Sequence, residues 1–561
     1  MIGFFSFVLL FSSSEIVRSI NFSGLSNIKE KELRSVMLLK PPGFFSKSKF
    51  DERILEGDVD AIRSVYIKNG YLSPDITYKY QADSSGSVDI DIFIEENART
   101  FVKNIEFRGN TSFDKKYLSK IIETKRGKPF NPFLLEKDYS AIIYNYDRNG
   151  YHDIAVTSEI DIPEEEAKII YNIKEGNKIF ISDVNIEGAR ATRKDRLKTA
   201  IGLRKGSLLT NDKLYNSKRR LNDLDVFSRI RIVETDSLIH RNLLYKLGHK
   251  EPLAIRLRVG YSTLNRAKLT FMLSHKNLFN SLRSIGLLGK IGLRELGLEA
   301  NYRDPITFGK WLSNGWGVNS EYRREIGYDI VKFGAYSMLI PNPFYLRYDL
   351  ERVRLYNVEI SDLEEDALDW LQRISVSLMI DKRDDPVKVH NGYYLFNSIE
   401  FEDIIFSASG SFIKNDFRFS KFVGIGNSTF AFRANAGFIL PFNRDIPVPI
   451  YNRFFMGGGS TIRGYAENRA GPQDVNGNPL GGERYFLTSC ELRIPLFSKF
   501  YGTVFSDIGS LSEDFESNQL HILGSTGVGI RFYTPIGPLR LDYALNFEGQ
   551  TSWHFAIGEA F

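Results

Sequence analysis

Asp58–Tyr71 reads DVDAIRSVYIKNGY, and Asp138–Tyr151 reads DYSAIIYNYDRNGY. The segments share Asp58/Asp138, Ala61/Ala141, Ile62/Ile142, Tyr66/Tyr146 and a closing Asn-Gly-Tyr, at a constant offset of 80 residues. Self-similarity at a fixed period is the signature of repeated structural units. Ile62 and Tyr66 stand four apart, as do Ile142 and Tyr146, so each pair occupies one face of a helix. Gly70 and Gly150 follow as the left-handed residues that end such helices. Upstream of each helical stretch lies an alternating strand that closes on glycine: Val17–Gly24 and Val102–Gly109. A third such strand, Ile181–Gly188, marks a third unit, whose helix ends in Leu224-Asp225-Val226-Phe227 instead. Alternation returns in Val88–Ile94 and around Ile169–Ile173. The spacing therefore predicts three α+β units of order β-α-α-β-β, over 16–97, 98–176 and 177–252. None gathers His, Cys or carboxylates at catalytic spacing, and they read as binding modules.

Beyond residue 252 the helical period disappears. Leu253, Ile255, Leu257, Val259 and Tyr261 alternate with Ala254, Arg256, Arg258 and Gly260. Ile374–Ile380, Phe430–Phe438 and Leu539–Phe547 repeat the pattern with Arg373, Arg433, Arg540 and Asp542 on the opposite face. Apolar-out, polar-in strands of about ten residues are the signature of a transmembrane β-barrel. At about 19 residues per strand and loop, residues 253–561 supply roughly 16 strands. The chain has 561 residues, a net charge of +5, 25% charged and 42% apolar residues, and a mean hydropathy of −0.24. That balance excludes global disorder and gives no nucleic-acid footprint. No run approaches the ~20 apolar residues of a spanning helix. The lone cysteine, Cys490, rules out a disulfide framework and a multi-thiolate metal site. Ile2–Phe11 is a short apolar run followed by three serines. It reads as the core of a signal sequence over 1–15, although no basic residue precedes it.

The most specific segment is Arg453–Tyr465, RFFMGGGSTIRGY. With it the chain resembles the BamA/TamA-type family of outer-membrane assembly factors. Asn277-Leu278-Phe279, Asp381–Pro386 with Gly392, Glu491–Pro495, Phe505–Gly509, Pro535–Tyr543 and Phe555–Phe561 resemble that family's barrel motifs in order. The resemblance implies N-terminal α+β POTRA repeats, three here, followed by a transmembrane antiparallel β-barrel of about 16 strands. Three repeats are closer to TamA than to the usual five of BamA. It also implies an outer-membrane location, with the repeats in the periplasm.

Gly457, Gly458 and Gly459 permit a close backbone approach, and Arg463 offers a planar fork suited to carboxylates. Gly464 and Tyr465 complete the motif. The resemblance implies that this loop enters the lumen and that Arg463 meets acidic residues of the wall, Asp507 and Glu491. Strand parity lets Asp507 point inward. Trp553, Phe555, Ile557 and Phe561 share the lipid-facing parity of the last strand, and resemble a barrel's C-terminal assembly signal.

Enzymatic motifs fail on inspection. Gly458–Ile462 lacks the final glycine of a nucleophile elbow, and no Gly-Lys is followed by Ser or Thr. No His-x3-His pair occurs. Asp384 and Asp385 are adjacent, which on a strand sends them to opposite faces. The reading is a non-enzymatic factor with no cofactor, metal or nucleic acid. The resemblance implies that it helps insert or export β-barrel or autotransporter-type clients through POTRA capture and a weak seam between Leu253–Thr263 and Ser552–Phe561. Its implied partners are the outer-membrane bilayer, unfolded β-barrel proteins and an inner-membrane-anchored TamB-like protein. The alternative is a two-partner-type secretion pore for one dedicated soluble substrate.

Overall fold

The computed structural model describes residues 15–42, 49–189, 192–235, 238–262, 266–360, 368–402, 410–497, 499–514, 521–534 and 537–558. The leader expected over 1–15 falls almost entirely outside these residues, as does Phe561.

The first repeat runs β1 (Ile16–Ser23), α1 (Glu30–Val36), α2 (Glu52–Lys68), β2 (Asp75–Ala82) and β3 (Ser87–Glu95). Its sheet has the order β1-β3-β2, with β1 parallel to β3 and β2 antiparallel. The alternation of β3 places Val88, Ile90, Ile92 and Ile94 in the core, against Leu55, Val59, Ile62 and Tyr66 of α2. The second repeat follows the same plan: β4 (Phe101–Arg108), α3 (Lys115–Ile121), α4 (Phe133–Arg148), β5 (Ala155–Asp161) and β6 (Glu166–Lys174). The third comprises β7 (Phe180–Glu187), α5 (Lys194–Ile201), α6 (Asn211–Asp223), β8 (Phe227–Glu234) and β9 (His240–His249).

The residues shared between repeats have physical reasons. Asp58 is buried and accepts the N–H groups of Leu38 (2.6 Å) and Leu39 (2.9 Å), in the segment after α1. Asp138 does the same for Glu123 (2.6 Å) and also takes the Tyr171 hydroxyl (2.6 Å). In the third repeat Ser217 meets the Tyr245 hydroxyl at 2.6 Å. Gly70 and Gly150 have φ of +94° and +93°. Their carbonyls accept the N–H groups of Thr100 (2.8 Å) and Ile179 (2.9 Å), so each Asn-Gly-Tyr turn is also the joint to the next repeat. Glu96 and Glu175 go unremarked in the sequence pattern, yet each ties the loop after the first strand to the second helix. Glu175 accepts from Thr111 N (2.6 Å), Ser112 N (2.8 Å) and the Tyr146 hydroxyl (2.8 Å). Burial pushes its carboxyl up, but these hydrogen bonds prevail and hold it down at about 2.

The remaining chain forms a closed barrel of sixteen strands, β10 (Leu253–Ser262) to β25 (Thr551–Ile557), each antiparallel to its sequence neighbour. Ile255, Leu257 and Val259 are 69%, 70% and 56% exposed, as lipid-facing residues must be. Arg433, Asp507, Arg531, Arg540 and Asp542 are buried on the lumen side. The strand geometry expected for Asp384 and Asp385 is wrong: both lie in the turn after β17 (Leu368–Asp381). Asp384 accepts from Asp385, His390 and Asn391 N–H groups, and Asp385 from Val387 and Lys388. Pro386, which has no N–H to give a ladder, fits such a turn. Among the described residues no helix is long and apolar enough to cross a membrane, which leaves the strands' role untouched.

Candidate functional site in the barrel lumen and seam

β20 (Ser428–Pro441) and β21 (Arg484–Phe497) are joined by a long loop whose middle packs inside the barrel. Met456, Ile462 and Tyr465 of the loop share a buried cluster with Leu487, Leu511 and Leu523 of the wall. Gly457 and Gly458 turn the loop on itself: their φ values are +109° and +93°, and a Cβ would strike Ala466 O or the Glu467 carboxylate. Gly459 and Gly464 are the ones that meet the wall. A Cβ on Gly464 would lie 2.6 Å from that of Ser525 and 2.7 Å from that of Asn546.

This approach delivers Arg463, 1% exposed, to the wall. Its Nε and Nη2 donate to the two oxygens of Asp507 at 2.8 and 2.9 Å, and its backbone N–H to Oδ2 at 3.1 Å. Nη1 donates to Glu491 Oε2 at 2.7 Å and stands 3.8 Å from Asp542 Oδ2. The guanidinium carbon lies 3.4 Å from the centroid of the Phe505 ring. A bidentate fork plus ring stacking is geometry that lysine cannot reproduce.

Around this centre the structure gathers residues that the sequence reading did not place beside Arg463. Arg531 donates to Glu491 (3.2 Å) and to Asp542, and Arg493 Nε donates to Glu491 at 2.9 Å. Arg433 reaches the loop itself, donating to the carbonyls of Ser460 (2.8 Å) and Thr461 (3.2 Å). Arg433, Arg540 and Asp542 had a visible signal, their inward parity, but parity does not say which inward residues meet.

The loop is also held by the last strand. His554 Nε2 lies 2.7 Å from the Arg463 carbonyl, which can only accept, so Nε2 carries the proton. Ser552 Oγ donates to the Gly464 carbonyl at 3.3 Å. On the other face of β25, Trp553 and Phe555 are 62% and 39% exposed, and Ile557 is half-buried. β25 pairs with β24 (Gly537–Asn546) over Leu539–Leu545. Its pairing with β10 is a single position, Ser262 with Ala556, among the described residues.

The family model described as the Omp85 superfamily domain matches residues 277–561, just over half of the chain. The chain belongs to the Omp85 superfamily. The POTRA model, described as a surface antigen variable number repeat, matches 15–97, 100–176 and 179–247, so the Omp85 barrel here carries three POTRA repeats. Similar curated proteins include the outer membrane protein assembly factor BamA of Nitratidesulfovibrio vulgaris, 23% identical over 97% of this chain and 73% of that one. BamA of Neorickettsia risticii is 22% identical over 94% of this chain and 75% of the relative. Among solved structures, BamA from Haemophilus ducreyi lacking POTRA domains 1–3 superposes with a TM-score of 0.60 at 17% identity, covering 82% of this chain and 99% of that one. This likeness concerns the fold. As an Omp85 protein, the chain resides in the outer membrane with its repeats in the periplasm.

Proposed function

We propose that this chain assembles other proteins at the outer membrane, helping to insert or export β-barrel or autotransporter-type clients. The observation that carries the reading is the seam. In a bilayer an unpaired strand edge is expensive, because its N–H and C=O groups find no water. β10 and β25 meet through one pair, Ser262 and Ala556, among the described residues, whereas β24 and β25 pair over Leu539–Leu545. A client strand entering at this seam gains the hydrogen bonds that β10 and β25 do not give each other. The POTRA sheets supply the capture step: β2 and β5 are edge strands, available for an extended client by β-augmentation. The lumen loop, through His554 and Ser552, holds β25 from inside while its outer neighbour is loosely joined. An inner-membrane-anchored TamB-like partner would extend this route across the periplasm.

Depletion of the protein with profiling of the outer-membrane proteome tests the reading. Loss of several barrel proteins is the expected result. Loss of one secreted soluble protein, with barrels unchanged, supports lumen passage to a dedicated substrate and contradicts the proposal.

A further inference from the structure

Residues 179–247 carry 15 Lys and Arg against 8 Asp and Glu, a surplus of seven in a chain whose whole surplus is five. The repeat next to the barrel is therefore basic, and the rest of the chain is not. Part of that charge sits at a particular place on the barrel's outer face. Arg196 of α5 pairs with Asp304, the last residue of β13 (Glu295–Asp304). Arg283, the first residue of β12 (Arg283–Gly292), donates through Nε to the same carboxylate at 2.8 Å. Two guanidiniums thus share one carboxylate, and the largely buried Arg196 Nε has no hydrogen-bond partner among the described residues.

The groove beside this cluster faces lipid. Ile285 pairs with Tyr302, and Arg283 and Asp304 come next on that strand face. In the other direction the same face carries a groove of about 750 Å³ whose lining includes Leu273, Leu287, Ala300, Tyr302, Trp316 and Val318. Trp316 and Val318 are 58% and 48% exposed, which places the groove in the outward apolar band. β10 leaves the third repeat at this end, so the groove lies at the periplasmic leaflet. Arg220 of α6 stands 5.9 Å over the ring of Trp311 in the turn after β13, and tryptophan is a residue of the membrane interface.

We propose that this is a binding site for an anionic phospholipid of the periplasmic leaflet. One acyl chain occupies the groove, and the phosphate lies at Arg196 and Arg283. An anion there completes the coordination that Asp304 alone leaves short, and the forked guanidinium suits phosphate geometry. The tail fixes the occupant as a lipid and not free phosphate: the lining below the charges is apolar and opens to the bilayer.

The test uses the full chain in phosphatidylcholine vesicles, with Trp311, Trp370 and Trp553 changed to Phe so that Trp316 is the sole tryptophan. A small mole fraction of lipid with brominated acyl chains is added, either phosphatidylglycerol or phosphatidylcholine. One basic group at a membrane surface enriches anionic lipid about fivefold, so brominated phosphatidylglycerol should quench Trp316 about fivefold more efficiently. Arg196→Gln with Arg283→Gln should bring the two lipids level. Ala300→Leu, which fills the groove and leaves the charges alone, should lower phosphatidylglycerol quenching to the level of phosphatidylcholine. Folding of each variant is read from heat-modifiable electrophoretic mobility; if the arginine pair does not fold, the Ala300 variant decides. Equal quenching by the two lipids in the parent, or an undiminished preference in a folded variant, overturns the site.

Discussion

Replacing Arg463 with alanine should release the lumen loop, and the structure says which group is left stranded. Glu491 keeps Arg493 and Arg531, and Asp542 keeps Arg531. Asp507 loses both side-chain bonds, at 2.8 and 2.9 Å, and keeps from the loop the backbone N–H of residue 463. Breaking a buried pair on one side costs about 3–5 kcal/mol, because a charge remains without its partner. If that cost falls on the docked loop, its undocked population rises roughly 100- to 4000-fold, at about 1.4 kcal/mol per factor of ten. Limited proteolysis of the full chain in detergent reads this directly, as cleavage within residues 457–482. Arg463→Lys should rescue little, since a point charge cannot span Asp507 and Glu491. Arg463→Ala combined with Asp507→Asn should recover part of the protection, because the stranded charge is gone. Unchanged cleavage in Arg463→Ala, with no coupling to Asp507, would refute the reasoning.

The repeats offer three further tests. Residues 16–252 expressed alone should be soluble, with mixed helix and strand by circular dichroism; aggregation or an all-β spectrum would contradict the division. In that fragment His152 carries a pH dependence: hydrogen bonds to Asp147 (2.9 Å) and then Glu234 (3.4 Å) outweigh burial and raise it to about 9. A raised value means stability that is complete below the ordinary histidine range, near 6.5, and is lost as pH rises through about 9, by at most about 3 kcal/mol. Urea unfolding at the two ends of that window should show the loss, and His152→Gln should flatten it; a wild-type profile that is itself flat would sink the assignment. Asp138→Asn should cost about 1–3 kcal/mol in the same assay, since an amide cannot accept from both the Glu123 N–H and the Tyr171 hydroxyl with two oxygens. A change under a few tenths would show that these donors find water.

Much of the fold was legible because two periods differ so clearly. Ile62 and Tyr66 at helical spacing, and Leu253 to Tyr261 at strand spacing, mark where the repeats give way to the barrel. The Asn-Gly-Tyr turns show why local reading stops short. Their glycines signal a helix end, yet the Gly70 carbonyl also holds Thr100 of the next repeat, a partner that no period points to. Asp225 illustrates the same gap. It takes the left-handed turn position in the third repeat, with φ of +52°, and binds Lys250 and Lys276 at the start of the barrel. In the lumen, alternation says that Arg540 and Asp542 face inward, but which inward residues meet there, such as Arg531 with both Asp542 and Glu491, depends on barrel register across four strands. Asp384 and Asp385 were misplaced for a related reason, because the alternating strand ends at Asp381, three and four residues before them.

If clients enter at the seam, a reversible lock between β10 and β25 should control insertion. Ser262 and Ala556 are paired across β10 and β25, so cysteines at these two positions can be joined where antiparallel partners lie close enough for a disulfide. Cys490, exposed on the barrel's outer face, is first replaced by serine. Client insertion by the reconstituted protein is then measured oxidised and reduced. Insertion should stop when the strands are joined and return on reduction. Insertion at full rate with the disulfide fully formed would contradict entry at the seam.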